Sequence, residues 1–164
     1  MVLFLRAAAL TTAALLTLSA CGDESGPETA GDPTPSASTS PSPTAEPTVG
    51  SYPAFAPEDY SYTLVVMCFC ADAGVDIRVT VAGGTVSDAV YARSGRGVKK
   101  GDPVEKYRWL TINDVIDAAN DTEADSVQVT WPDGQDYPTS VYVDPQANAM
   151  DEEIGYEISD VVVA

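Results

Sequence analysis

The chain has 164 residues, with 25 Asp and Glu against 8 Lys and Arg, a formal net charge of −17 and no histidine. Such a charge repels nucleic acid and anionic lipid headgroups. The missing imidazole removes the usual base for a serine or cysteine nucleophile and the commonest transition-metal ligand.

The chain opens on a leader. Arg6 supplies a basic n-region, and Ala7 to Leu18 is apolar apart from Thr11, Thr12 and Thr17. Small residues then run into Cys21. The apolar stretch is too short to span a bilayer, so residues 1–20 read as a secretory signal. Leu18-Ser19-Ala20-Cys21 resembles the bacterial lipobox, which implies cleavage before Cys21 and a diacylglycerol on its thiol. The expected location is the extracytoplasmic face of the cell membrane, held there by lipid. Residues 21–50 follow as a stalk: Ser, Thr, Pro, Gly, Ala and acids dominate, and Val49 is the only larger aliphatic residue. Pro33, Pro35, Pro41, Pro43 and Pro47 bias it toward extended conformations, and it lacks the apolar area to offset its ordering entropy. The same composition suits O-glycosylation.

Residues 51–164 are long enough for one core. Tyr60 to Cys70 is rich in strand formers. Asp76 to Ala82 alternates, with Ile77, Val79 and Val81 on one face. Gly83-Gly84 predicts a two-residue hairpin turn into a return strand from Thr85 to about Ala92. That turn pairs Val81 with Val86 and Ile77 with Val90, and a bulge is expected where Asp88 meets Val79. Arg93 to Tyr107, with Gly95, Gly97, Gly101 and Pro103, reads as a loop. Thr111 then predicts a helix N-cap, with Asp114 completing a capping box and Leu110 stapling onto Val115. Ile112, Val115, Ile116 and Ala119 form the apolar stripe, and Asn120-Asp121 ends the helix. Val127, Val129 and Trp131 predict a strand, followed by the turn Pro132-Asp133-Gly134 and a partner strand from Tyr137 to Asp144. Ile154, Tyr156 and Ile158 begin the last strand. The pattern predicts an α+β domain: a mostly antiparallel sheet of about six strands in the order three strands, helix, three strands, with the helix packed on one face. Tyr60, Tyr62, Trp131, Tyr142 and Tyr156 read as strand packing rather than a ligand platform.

Several motifs share a pattern. Tyr137-Pro138-Thr139-Ser140, Asp144, and the run Ala149-Met150-Asp151-Glu152-Glu153-Ile154-Gly155-Tyr156 resemble an uncharacterised domain family found in bacterial lipoproteins. Cys68-Phe69-Cys70 and Leu110-Thr111-Ile112 fit it too. The resemblance spans Tyr60 to Val162, and Glu152 stands where the family often has a second Asp. It implies fold and location and supplies no mechanism.

Cys68 and Cys70 are the first candidate site. With Cys21 lipidated, two thiols remain in an oxidising compartment, and a disulfide is their default fate. An extended strand would hold their Cα atoms about 6.6 Å apart, near the upper limit, so closure needs a kink such as Ala71 to Gly74 could give. The alternatives are a thiol redox centre, capture of a soft metal such as Cu(I), and a reduced buried pair. No cationic neighbour is evident nearby in the sequence to favour a thiolate. The second candidate is a calcium site from Asp144, Asn148, Asp151, Glu152 and Glu153. The calcium-loop pattern is not met: Ala149 stands where Gly is needed and Gly155 where Glu is needed. An acidic loop whose carboxylates cap local amides is the simpler reading. Six of the eight bases fall between Arg93 and Arg108, and no base follows; this segment reads as lying against acidic parts of the same domain.

No nucleophile elbow or zinc-binding helix motif is present. The expectation is therefore a non-enzymatic envelope lipoprotein without cofactor. Its partners would be the membrane, through the anchor, and an envelope protein, and not nucleic acid. The alternative is a redox or soft-metal lipoprotein acting through Cys68 and Cys70.

Overall fold

The computed structural model describes residues 47–164. The expected signal segment, Cys21 and the expected stalk up to residue 46 lie outside them. Six strands form a single sheet: β1 (Tyr60–Met67), β2 (Ile77–Ala82), β3 (Thr85–Tyr91), β4 (Ser126–Thr130), β5 (Ser140–Asp144) and β6 (Ile154–Val163). One helix, α1 (Ile112–Ala119), separates β3 from β4. The spatial order is β3-β2-β1-β6-β5-β4, and every pairing is antiparallel. Two three-stranded meanders thus meet at the central β1–β6 pair, and the chain crosses from one edge of the sheet to the other through α1.

The expected α+β architecture is corrected by this arrangement. With eight residues, α1 is no longer than β1, so the fold is dominated by its sheet. The glycines and Pro103 keep Arg93–Glu105 irregular apart from isolated bridges, and only Lys106–Arg108 forms a 3₁₀ turn before α1. The apolar face of the sheet is therefore covered by coil as well as helix. Phe55, Val75 and Val104 from irregular segments join Ile112, Val115, Ile116 and Ala119 in one cluster with Tyr62, Leu64, Val79, Val141 and Ile158.

Thr111 caps α1 as its sequence predicts: its hydroxyl accepts from the Asp114 amide at 3.1 Å while the Asp114 carboxylate accepts from the Thr111 amide at 2.7 Å. Two buried tyrosines of β1 hold the same helix end. The Tyr60 hydroxyl accepts from the Ile112 amide at 3.0 Å, and the Tyr62 hydroxyl donates to the Leu110 carbonyl at 2.5 Å. Along the outer side of α1, two asparagines grip the chain that precedes β1. Asn120 accepts from the Tyr52 amide and donates to the Tyr52 carbonyl, at 2.8 and 3.0 Å, and Asn113 does the same to Phe55 at the same distances. Each side-chain amide thereby replaces the hydrogen bonds a neighbouring strand would have made.

Register differs from expectation at two places. Val81 pairs with Val86 as predicted, but a shift between Thr80 and Val81 puts Asp88 opposite Thr80 and Ile77 opposite Tyr91. Ser87 takes up the extra residue and its hydroxyl donates to the Thr80 carbonyl at 3.2 Å. A second bulge in β6 was not predicted. Asp160 sits there at φ 51°, a conformation Asp tolerates better than most residues, and accepts from the Thr63 hydroxyl at 3.0 Å. The hairpin turn at Gly83-Gly84 has φ of 56° and 71°, as a two-residue connection requires.

Candidate functional site

β1 ends at Met67, three residues before its strand-forming sequence does. The Cys70 amide turns back to donate to the Cys68 carbonyl at 2.8 Å, and the Gly74 amide donates to the Val66 carbonyl at 2.9 Å. The kink expected after Cys70 therefore falls at the cysteines themselves. It brings their Cα atoms to 5.3 Å, and a disulfide joins them. Cys68 packs against the core cluster, whereas Phe69 between the two cysteines is 81% exposed.

A buried cation lies against this disulfide. Arg108, only 5% exposed, ends the 3₁₀ turn that leads into α1. Its Nη2 donates to Cys70 Sγ at 2.7 Å, to Cys68 Sγ at 2.9 Å and to Asp72 Oδ1 at 3.1 Å. Asp72 Oδ2 accepts from the Tyr91 hydroxyl at the end of β3, at 3.0 Å. The Tyr107 ring covers the guanidinium, with its centroid 5.0 Å from Arg108 Cζ. Arg108 Nε is buried without a hydrogen-bond partner. A second arginine braces the turn from outside: Arg93 pairs with Asp76 at 3.0 Å and donates to the Gly74 carbonyl.

Charge is shared unevenly in this group. Burial alone would raise the Asp72 pKa, but the hydrogen bonds from Arg108 and Tyr91, with the Arg108 charge, hold it below the ordinary carboxylate value. The Tyr91 phenol is pushed up to about 12 by burial and by the carboxylate it donates to. Disulfide sulfurs are weak acceptors, so the oxidised pair gives Arg108 a poor partner beside one good carboxylate. A thiolate in the same place would be a strong, charge-assisted one.

Residues 44–163 match a family of unknown function, DUF6174. The chain belongs to that family. No curated protein and no solved structure matches it. In this DUF6174 domain the Cys-Phe-Cys motif is thus the point where the ends of β1 and β3 and the entry to α1 converge.

The other candidate residues fare differently. Asp144 Oδ1 accepts from the Gln146 amide at 3.1 Å, and Asp125, absent from the expected set, accepts from the Ala147 amide at 2.8 Å. Among the described residues no group of three or more His, Cys, Asp or Glu side chains is gathered to hold a metal ion, so Asp144, Asp151, Glu152 and Glu153 are not brought together. Two bases of the basic segment pair with acids of the same domain, Arg93 with Asp76 and Arg108 with Asp72, and neither acid lies in the acidic C-terminal half. Tyr60 and Tyr62 are core residues, Trp131 stacks on Tyr52 with ring centroids 5.2 Å apart, and Tyr142 is 38% exposed. Sequence reasoning missed Arg108, Asp72 and Tyr91. The available signal was Tyr107-Arg108-Trp109, a base enclosed by aromatic residues just before a helix cap.

Proposed function

We propose that this DUF6174 member is a lipoprotein of the extracytoplasmic face of the cell membrane. Cys21 carries the acyl chains, residues 22–50 act as a spacer, and the sheet domain binds an envelope partner or serves a structural role without catalysing a reaction. The observation that carries this reading is Leu18-Ser19-Ala20-Cys21 at the end of a short apolar run. Two features support it. The Cys68–Cys70 disulfide suits an oxidising compartment. The net charge of −17 disfavours adhesion to anionic headgroups, which leaves the acyl chains to provide the hold. Among the described residues no helix is long and apolar enough to cross a membrane.

Metabolic labelling with an alkyne fatty acid tests the anchor. Wild-type protein takes up the label and partitions with membranes, and Cys21→Ser loses the label and stays unprocessed or enters the soluble fraction. Equal labelling of both proteins refutes the assignment.

A further inference from the structure

We propose that the Cys68–Cys70 disulfide is a dithiol oxidant: it accepts two electrons from a reduced cysteine pair of another exported protein, and Arg108 holds the thiolate that forms. This goes beyond a binding or structural role and does not depend on the anchor at Cys21.

Three observations lead there. First, Nη2 of Arg108 stands 2.7 and 2.9 Å from the two sulfurs, so any negative charge formed on either is met at once. Thiolate stabilisation by a neighbouring guanidinium favours the reduced form, and a disulfide whose reduced form is stabilised is an oxidant. Second, Arg108 is buried and its Nε lacks a partner, so the cation is under-satisfied while the sulfurs are neutral. A structural arginine serving only Asp72 would gain nothing from pointing at two weak acceptors. Third, the site is reachable: Phe69 and Tyr107, which flank it, are 81% and 67% exposed and offer an apolar rim to an unfolded segment carrying cysteines.

The carboxylate of Asp72 opposes a thiolate, but both its oxygens are engaged, Oδ1 by Arg108 and Oδ2 by Tyr91. Asp72 is a positioning residue: it aims the guanidinium and moderates its effect. Tyr91 and Tyr156 are the other titratable groups coupled to this charge, and burial raises both above the ordinary phenol value, so both are neutral at neutral pH.

The exchange balances as follows. A partner thiolate attacks Cys70 Sγ, the sulfur on the side away from the core against which Cys68 packs. The Cys68–Cys70 bond breaks, and its electron pair stays on Cys68 Sγ against Arg108. The partner's second thiolate then attacks its own sulfur in the mixed disulfide and releases Cys70. The partner ends with a disulfide, two electrons poorer, and its two thiol protons have gone to water. Cys70 takes one proton back, and Cys68 remains a thiolate paired with Arg108. The exchange is stoichiometric.

Full-length protein in detergent, equilibrated with glutathione redox buffers and quenched by alkylation, gives the reduction equilibrium by mass spectrometry. Arg108→Gln should lower that equilibrium constant at least tenfold, about 30 mV for a two-electron couple. Arg108→Lys, which keeps the charge, should lose less. Asp72→Asn, which removes the opposing charge, should shift the equilibrium toward the reduced form, a direction no loss of packing at Arg108 would mimic. One wild-type thiol should titrate well below the ordinary value of about 8.5. A reduced peptide with a single cysteine, which cannot resolve the intermediate, should leave a mixed disulfide at Cys70 of the wild type after acid quenching, with Cys68 as the free thiol. Should Arg108→Gln fail to fold by circular dichroism, the shift in Asp72→Asn decides the matter. Equal equilibrium constants in the folded variants, two thiols titrating at their ordinary value, or no mixed disulfide at Cys70 would overturn the proposal.

Discussion

Asp72→Ala should be among the most damaging single substitutions in the domain. Side chains of Arg108 and Asp72 are 7% and 10% exposed, so removing the carboxylate strands a cation among groups that cannot solvate it. Breaking one side of a buried ion pair costs about 3–5 kcal/mol. The Tyr91 hydroxyl loses its acceptor as well, which adds about 1 kcal/mol. Against a total stability of about 5–15 kcal/mol, that is a large share. For a domain of this size each kcal/mol moves the melting midpoint by about 3–6 °C, so a drop of at least about 10 °C is expected. Urea unfolding followed by far-UV circular dichroism gives the free energy, and calorimetry gives the midpoint. Asp72→Ala/Arg108→Met should be less destabilised than Asp72→Ala alone, because the uncompensated charge is gone. The wild type should show the same linkage through pH. The folded pKa of Asp72 lies below the ordinary 3.8, so its contribution is present above that value and fades as pH falls through the lowered one. This acid-dependent component should be missing in Asp72→Asn. A loss below about 1 kcal/mol in Asp72→Ala, with a double variant no better, would refute the claim that Arg108 is locked in place by its carboxylate.

Tyr62→Phe removes the donor to the Leu110 carbonyl while preserving the ring, and should cost about 1–3 kcal/mol in chemical denaturation. Thr111→Ala breaks the capping box and should cost about 1 kcal/mol; a change near zero would mean that Tyr60 and Tyr62 alone hold the helix start. Reduction of the disulfide, or Cys68→Ala/Cys70→Ala, should leave the fold intact by circular dichroism. So small a ring limits the chain-entropy contribution to about 1.5 kcal/mol.

Strand positions, the helix and its cap were legible because each rests on local chemistry: alternation in β2, Gly83-Gly84 between β2 and β3, and Thr111 with Asp114 at the start of α1. What the chain did not disclose was non-local. The α+β expectation took one clear amphipathic helix for a layer, whereas the residues completing the cover, Phe55, Val75 and Val104, belong to segments without periodicity. The bulge in β6 depends on Thr63 meeting Asp160 across 97 positions of sequence. The candidate site was half visible. Cys68 and Cys70 stood out as residues, but the cation beside them comes from 40 positions further along, and burial of an arginine leaves no mark in composition. The acidic run drew attention by density alone, and density does not make carboxylates converge.

In the anchored arrangement proposed above, the two asparagine clamps acquire a mechanical meaning. A pull arriving through residue 47 reaches the Asn120–Tyr52 bridge first and the Asn113–Phe55 bridge next, before it reaches the first strand of the sheet. Those four hydrogen bonds lie between the point of load and the β1–β6 seam at the centre of the sheet. With Tyr52 stacked on Trp131 and Phe55 seated in the core, the strap spreads such a load over α1 and the core before it reaches the seam.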